Sequence, residues 1–154
     1  MAEVEVNLTI VTSIDDNFAL PATVMMRSVV DQLGGTRSVD FYVLDCGLRS
    51  RNRWKIRRSI PKAWARIHFI QMPARLLTGF RVDGHISIAT YARLFIDQLL
   101  PDSVDRVMYM DGDMLALTDI SALWHTNLGS YPLAAVQDPV AGRVGQSAQM
   151  VHWQ

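Results

Sequence analysis

Between Val4 and Thr12 the chain is rich in Val, Ile and Leu. By Leu8-Thr9-Ile10-Val11 this becomes a run that predicts a strand covered on both faces. Asp15-Asp16-Asn17 follows with turn and N-cap chemistry. Helical spacing from Ala19 to Leu33 predicts a helix that tolerates Pro21 in its first turn and closes at Gly34-Gly35. Val39 to Leu44 predicts a second strand, Ser50 caps a helix running to about Ser59 before Pro61, and Arg66 to Gln71 predicts a third strand. Residues 73–86 mix Pro, Gly and polar positions and predict a long loop. Thr90 to Leu100 predicts a helix ended by Pro101, Arg106 to Met110 a short strand, and Leu133 to Val136 a last one.

Strands alternating with helices predict an α/β fold around a mostly parallel sheet. In such open sheets ligands lie beyond the carboxyl ends of the strands. That rule selects residues 12–18, after the first strand, and residues 111–113, after Arg106–Met110.

Composition narrows the class. The chain has 154 residues, 49% hydrophobic and 19% charged, enough to fill the core of one domain and to exclude a disordered tail, collagen or a coiled-coil rod. Fifteen bases balance fifteen acids, so no global field favours nucleic acid or an anionic membrane. The balance is a sum of blocks, however. Residues 1–48 carry seven acids and two bases, residues 49–84 one acid and ten bases, and residues 85–154 seven acids and three bases. Cys46 stands alone, which leaves no internal disulfide and reads as a plain buried thiol. No membrane-length apolar window and no signal peptide is present, which predicts a cytoplasmic protein and leaves open a peripheral contact with the inner face of a membrane.

Asp111-Gly112-Asp113 carries the strongest chemical signal. Two carboxylates at i and i+2 on an extended chain share a side and can reach one cation, while Gly112 removes bulk and lets a ligand near the backbone. Hard oxygen ligands suit Mg2+ or Mn2+. Asp15-Asp16-Asn17-Phe18 offers more capping residues than one helix needs, together with an aromatic face for base stacking. Arg93, near the start of the predicted Thr90–Leu100 helix, opposes the helix dipole, an arrangement that a phosphate would compensate. The basic run from Arg49 to Arg66 reads as a solvated helix, with Trp54, Ile56 and Ile60 as its buried stripe.

Taken together these pieces resemble the amino-terminal part of the family 8 glycosyltransferases, the group containing lipopolysaccharide galactosyl- and glucosyltransferases and glycogenin. The likeness rests on Ile10-Val11-Thr12-Ser13 running into Asp15-Asp16-Asn17-Phe18, on Val43-Leu44-Asp45 with Gly47, and on His85-Ile86-Ser87 through Thr90-Tyr91-Ala92-Arg93-Leu94. Val107-Met108-Tyr109-Met110-Asp111-Gly112-Asp113 and Asp119-Ile120 with Leu123-Trp124 complete it. The resemblance implies a GT-A fold and a metal-dependent, retaining transfer of galactose or glucose from a UDP-sugar to a saccharide acceptor such as lipopolysaccharide. It implies that Asp111 and Asp113 hold Mn2+ or Mg2+, that Thr12, Ser13, Asp15, Asn17 and Phe18 hold uridine, and that Gly112 and Arg93 face the diphosphate or sugar. His85 would lie near the acceptor and Asp138 near the sugar. Later segments of the family domain have no counterpart here, so residues 1–154 are expected to be its nucleotide-sugar-binding portion. A fragment that only binds UDP or UDP-sugar is the alternative.

Overall fold

Four parallel strands form one sheet in the order β3-β2-β1-β4: β1 (Leu8–Ile14), β2 (Val39–Asp45), β3 (Ala65–Gln71) and β4 (Met108–Tyr109). The computed structural model describes residues 8–34, 38–80 and 87–136. β1 and β2 are registered along their whole length, Leu8 with Val39 through Ile14 with Asp45, and β2 and β3 likewise from Val39–Ala65 to Asp45–Gln71. β4 pairs with β1 only at Ile10–Met108 and Val11–Tyr109, and the Met110 N–H extends the pairing to the Val11 carbonyl at 3.0 Å.

Parallel strands need crossovers, supplied here by α1 (Ala19–Gln32) and α2 (Ser50–Ser59). Ile10, Ile14, Phe41 and Val43 join Met25, Met26 and Val29 of α1 and Ile56 of α2 in one core. Val11 and Leu44 point the other way, onto Met72 and Ala92. Both faces of β1 and β2 are therefore covered, which explains their near-continuous apolar runs. Gly34, at φ +61°, closes α1 as the pattern predicted.

Several expectations change. The helix drawn from Thr90 to Leu100 is α3 (Ile88–Ala92), a 3-10 turn (Arg93–Phe95) and α4 (Ile96–Leu99). The loop of residues 73–86 contains a 3-10 turn, Ala74–Leu77. Ser50 does not cap α2. Its cap residue is Arg49, whose N–H donates to the Asp16 carboxylate at 2.8 Å from a separate turn. Leu133 to Val136 form no strand: they do not pair with the sheet, and Leu133 and Val136 stand 70% and 94% exposed, so their apolar character is not spent on burial among the described residues. Trp54 leaves the predicted buried stripe and is 59% exposed, while Ile56 and Ile60 are buried as expected.

Candidate functional site at the switch point of the sheet

The chain steps outward from β1 through β2 to β3, then returns to the other side of β1 as β4. The strand order thus reverses between β1 and β4, the kind of switch point at which open α/β sheets hold ligands. Residues 15–18 and 111–113 occupy the carboxyl ends of those two strands.

They meet through Gly112. A Cβ built there would lie 2.9 Å from Ile14 Cγ2, 3.4 Å from Ala22 Cβ and 3.8 Å from Phe18 Cδ1. A side chain at this position would meet the end of β1 and the start of α1, so packing alone already requires the glycine. The triplet is also not extended: the Met114 N–H donates to the Asp111 carbonyl at 3.2 Å and closes a turn directly after β4.

The early turn uses its carboxylates on backbone. Asp15 Oδ1 accepts the N–H groups of Asn17 (2.9 Å) and Phe18 (3.3 Å), capping the 3-10 turn Asp16–Phe18. Asp16 Oδ1 accepts from the Arg49 N–H and, at 2.8 Å, from the Asn52 amide, tying this turn to α2. The Arg49 N–H, with the Asn52 amide and in spite of some desolvation, holds the Asp16 carboxyl below the usual value. Asn17 is exposed, and Phe18 is 41% exposed with its ring beside Gly112. Thr12 and Ser13 are buried. Ser13 Oγ donates to the Ala89 carbonyl at 2.7 Å and bridges to the Tyr109 hydroxyl at 2.8 Å, joining β1, α3 and β4. Thr12 Oγ1 is sealed from solvent with no hydrogen-bond partner among the described residues.

The later turn is different. Asp111 Oδ1 accepts from Arg93 Nη2 at 2.8 Å and from the Tyr109 hydroxyl at 3.2 Å. The Arg93 guanidinium also lies over the Tyr109 ring at 4.6 Å, and its Nε donates to the Thr90 carbonyl at 3.1 Å. Because Arg93 follows α3, it sits at that helix's carboxyl end, where a cation is favoured; the expected conflict with a helix dipole does not arise. Burial pushes the Tyr109 phenol up, against the hydrogen bond shared with Ser13 and the nearby Arg93 charge, which favours the neutral phenol. Asp113 is exposed and has no hydrogen-bond or ion-pair partner among the described residues.

Tyr109 is the residue that sequence reasoning passed over. It stands two positions before Asp111, on the same side of the strand by pleat alternation, and that spacing was the available signal. Asp45 is a second case. It is buried, accepts the N–H groups of Gly47 (3.0 Å) and Leu48 (2.8 Å) and pairs with Arg53, so it shapes the turn into α2 rather than a ligand edge. Gly47, at φ +118°, is needed in that turn. Cys46 is half-buried, and burial with the neighbouring Asp45 and Asp15 charges pushes its thiol up to about 12, which disfavours the thiolate. His85 and Asp138 lie outside the described residues.

Asp111 and Asp113 offer hard oxygen donors suited to Mn2+ or Mg2+, which are bound through one or two carboxylates plus substrate phosphates. Among the described residues no third His, Cys, Asp or Glu joins them in a metal-ligating cluster. Two grooves, of about 670 and 470 Å3, open elsewhere, between α1 and α2. Asp16 and Asn17 border the second, and neither includes Arg93, Asp111 or Asp113.

Residues 9–154 match the model of "Glycosyl transferase family 8". General stress protein A of Bacillus subtilis is 33% identical over 130 residues, covering 84% of this chain and 46% of that protein. Glycosyltransferase GlyF of Streptococcus pneumoniae is 26% identical over 133 residues, 86% of this chain and 32% of its own length. Among solved structures, the galactosyltransferase LgtC in complex with donor and acceptor sugar analogs superposes with a TM-score of 0.72 at 34% identity, over 79% of this chain and 44% of that one. The chain spans less than half the length of each. The described residues contain no helix long and apolar enough to cross a membrane.

Proposed function

Because this chain belongs to glycosyltransferase family 8 and has the GT-A fold, we propose that it forms the donor-binding portion of an enzyme that transfers a hexose from a UDP-sugar to a saccharide acceptor, with retention of the anomeric configuration. The observation that carries this reading is the contact of Gly112 with Ile14 and Phe18. It puts an exposed aromatic face and a turn bearing two carboxylates at one switch point.

In this reading Phe18 stacks on the uracil, a contact of about 1–3 kcal/mol. Asn17 and the second oxygen of Asp15 supply polar partners to the base or ribose. Thr12 and Ser13 contribute through their backbone, since their side chains face the interior. Asp111 and Asp113 hold the divalent cation, which supplies positive charge to the departing diphosphate. Arg93 is engaged with Asp111 across a half-exposed ion pair, and such pairs contribute about 0–1 kcal/mol. A diphosphate, with more charge than one carboxylate, draws the guanidinium to itself and stabilises the leaving group as the glycosyl bond breaks. Tyr109 keeps Asp111 oriented during that exchange. On the strength of the resemblance, His85 lies on the acceptor side and Asp138 beside the sugar.

The test is calorimetric UDP binding with and without Mn2+, run beside an assay of UDP-galactose and UDP-glucose turnover. Metal-dependent binding with turnover is expected. Metal-dependent binding without turnover selects the alternative, a chain that binds the donor and needs further residues to act; this alternative is favoured by the small share of its relatives that the chain spans. Absence of UDP binding in either condition rejects both.

A further inference from the structure

We propose that the solvent face of α2, with the adjoining ridge of α1, is a docking surface for an anionic phospholipid bilayer. Trp54 is the centre of that face. It projects to solvent, with Arg51, Lys55, Arg57 and Arg58 exposed around it at helical spacing. Arg58 lies over the Trp54 ring at 5.3 Å, and Arg57 over Phe69 of β3 at 4.9 Å, so two guanidiniums are held against apolar rings. None of these four cations has a carboxylate partner among the described residues. The nearby acids are engaged elsewhere: Asp16 with Arg49, Asp31 with Arg27.

Arg57 and Arg58 suit the last turn of the helix, but the rest of the basic run works against it. Arg51 stands in its first turn, where a cation opposes the dipole, and Arg51–Lys55 and Arg53–Arg57 are like-charged i,i+4 pairs. An external anionic surface relieves both. The apolar component identifies that surface further. Leu20 (73% exposed) and Val24 (50%) on α1 line the two grooves beside α2; Leu20 shares one with Trp54 and Lys55, and both grooves include Arg58. Bases mixed with Trp and aliphatic side chains suit a bilayer interface, where apolar groups enter the acyl boundary. Nucleic acid would make no use of the aliphatic residues, and a second copy would bring the same positive charge.

The experiment is co-sedimentation of the whole chain with vesicles of phosphatidylcholine alone and of phosphatidylcholine mixed with phosphatidylglycerol. The expected result is binding to the anionic vesicles only, weakening as salt rises. Each base near a bilayer contributes about fivefold, so Arg51→Glu with Arg58→Glu lowers affinity by at least about 25-fold with an unchanged circular-dichroism spectrum. Trp54→Ala weakens binding while leaving its salt dependence in place. Should the double variant misfold, the salt titration of the natural chain still decides. Equal binding to both vesicle types, no vesicle binding, or capture of an RNA oligonucleotide or a second copy in place of vesicles would overturn the proposal.

Discussion

Two acidic turns of nearly the same composition stand at the same rim of the sheet and use their carboxylates in opposite ways. In Asp15-Asp16-Asn17 both acids accept backbone N–H groups, one within its own turn and one from the first residue before α2. In Asp111-Gly112-Asp113 no carboxylate accepts a backbone N–H among the described residues: Asp111 faces a guanidinium and a phenol, and Asp113 is exposed. The first turn spends its acids on fixing backbone, and the second sets one acid against a cation and leaves the other in solvent. Acidity alone does not distinguish a cap from a ligand; the donors within reach do.

The contrast breaks most sharply at Asp113. Asp113→Asn should remove the Mn2+-dependent part of UDP affinity, by more than the roughly 10–100-fold that supporting groups around metal ligands carry. Its folding stability, from urea titration, should stay within about 0.5 kcal/mol of the parent. Gly112→Ala forces a methyl against Ile14 and Ala22 and should lose about 1–3 kcal/mol of stability in the same titration. Arg93→Ala should weaken UDP-sugar binding about tenfold, roughly 1.4 kcal/mol, and leave uridine binding unchanged; an equal loss for both ligands would make Arg93 a structural residue. Asp15→Ala removes a cap and should lower stability by about 1 kcal/mol without changing metal dependence.

The smallest effect lies at Asp40, away from both turns. Burial alone would raise its carboxyl, but hydrogen bonds from His68 and Arg66 hold it below the ordinary 3.8. A lowered carboxyl contributes stability above the ordinary value and loses it as pH falls through the folded one. Asp40→Asn should therefore be less stable than the parent by a few tenths of a kcal/mol near neutral pH. The difference should close below about pH 3.8.

The parallel sheet was legible because buried strands read as runs, and Leu8–Ile14 and Val39–Asp45 are such runs. The rim was legible because strand ends follow from strands. What escaped prediction was set by partners distant in sequence. Asp16, 33 residues earlier, holds the Arg49 N–H at the start of α2, a tie that no local pattern around Ser50 shows. Gly112 answers to Ile14 and Ala22, about a hundred positions earlier, and not to its own turn. Trp54 sits where hydrophobicity predicts burial, yet the core side of α2 is already filled by Ile56 and Ile60. Helix period alone could not place the break at Arg93, because the side chain that ends α3 is aimed at an acid eighteen residues on.

β4 is only two residues long, and apart from the Met110 N–H its grip on β1 is completed by a single hydroxyl bridge. The β1–β2 ladder beside it runs for seven matched positions. Local opening follows the number of bonds that must break. In deuterium exchange, then, the amides around Met110 should trade protons well before those of Phe41 or Val43. One side of the rim is braced along seven rungs, and the other is the side that yields first.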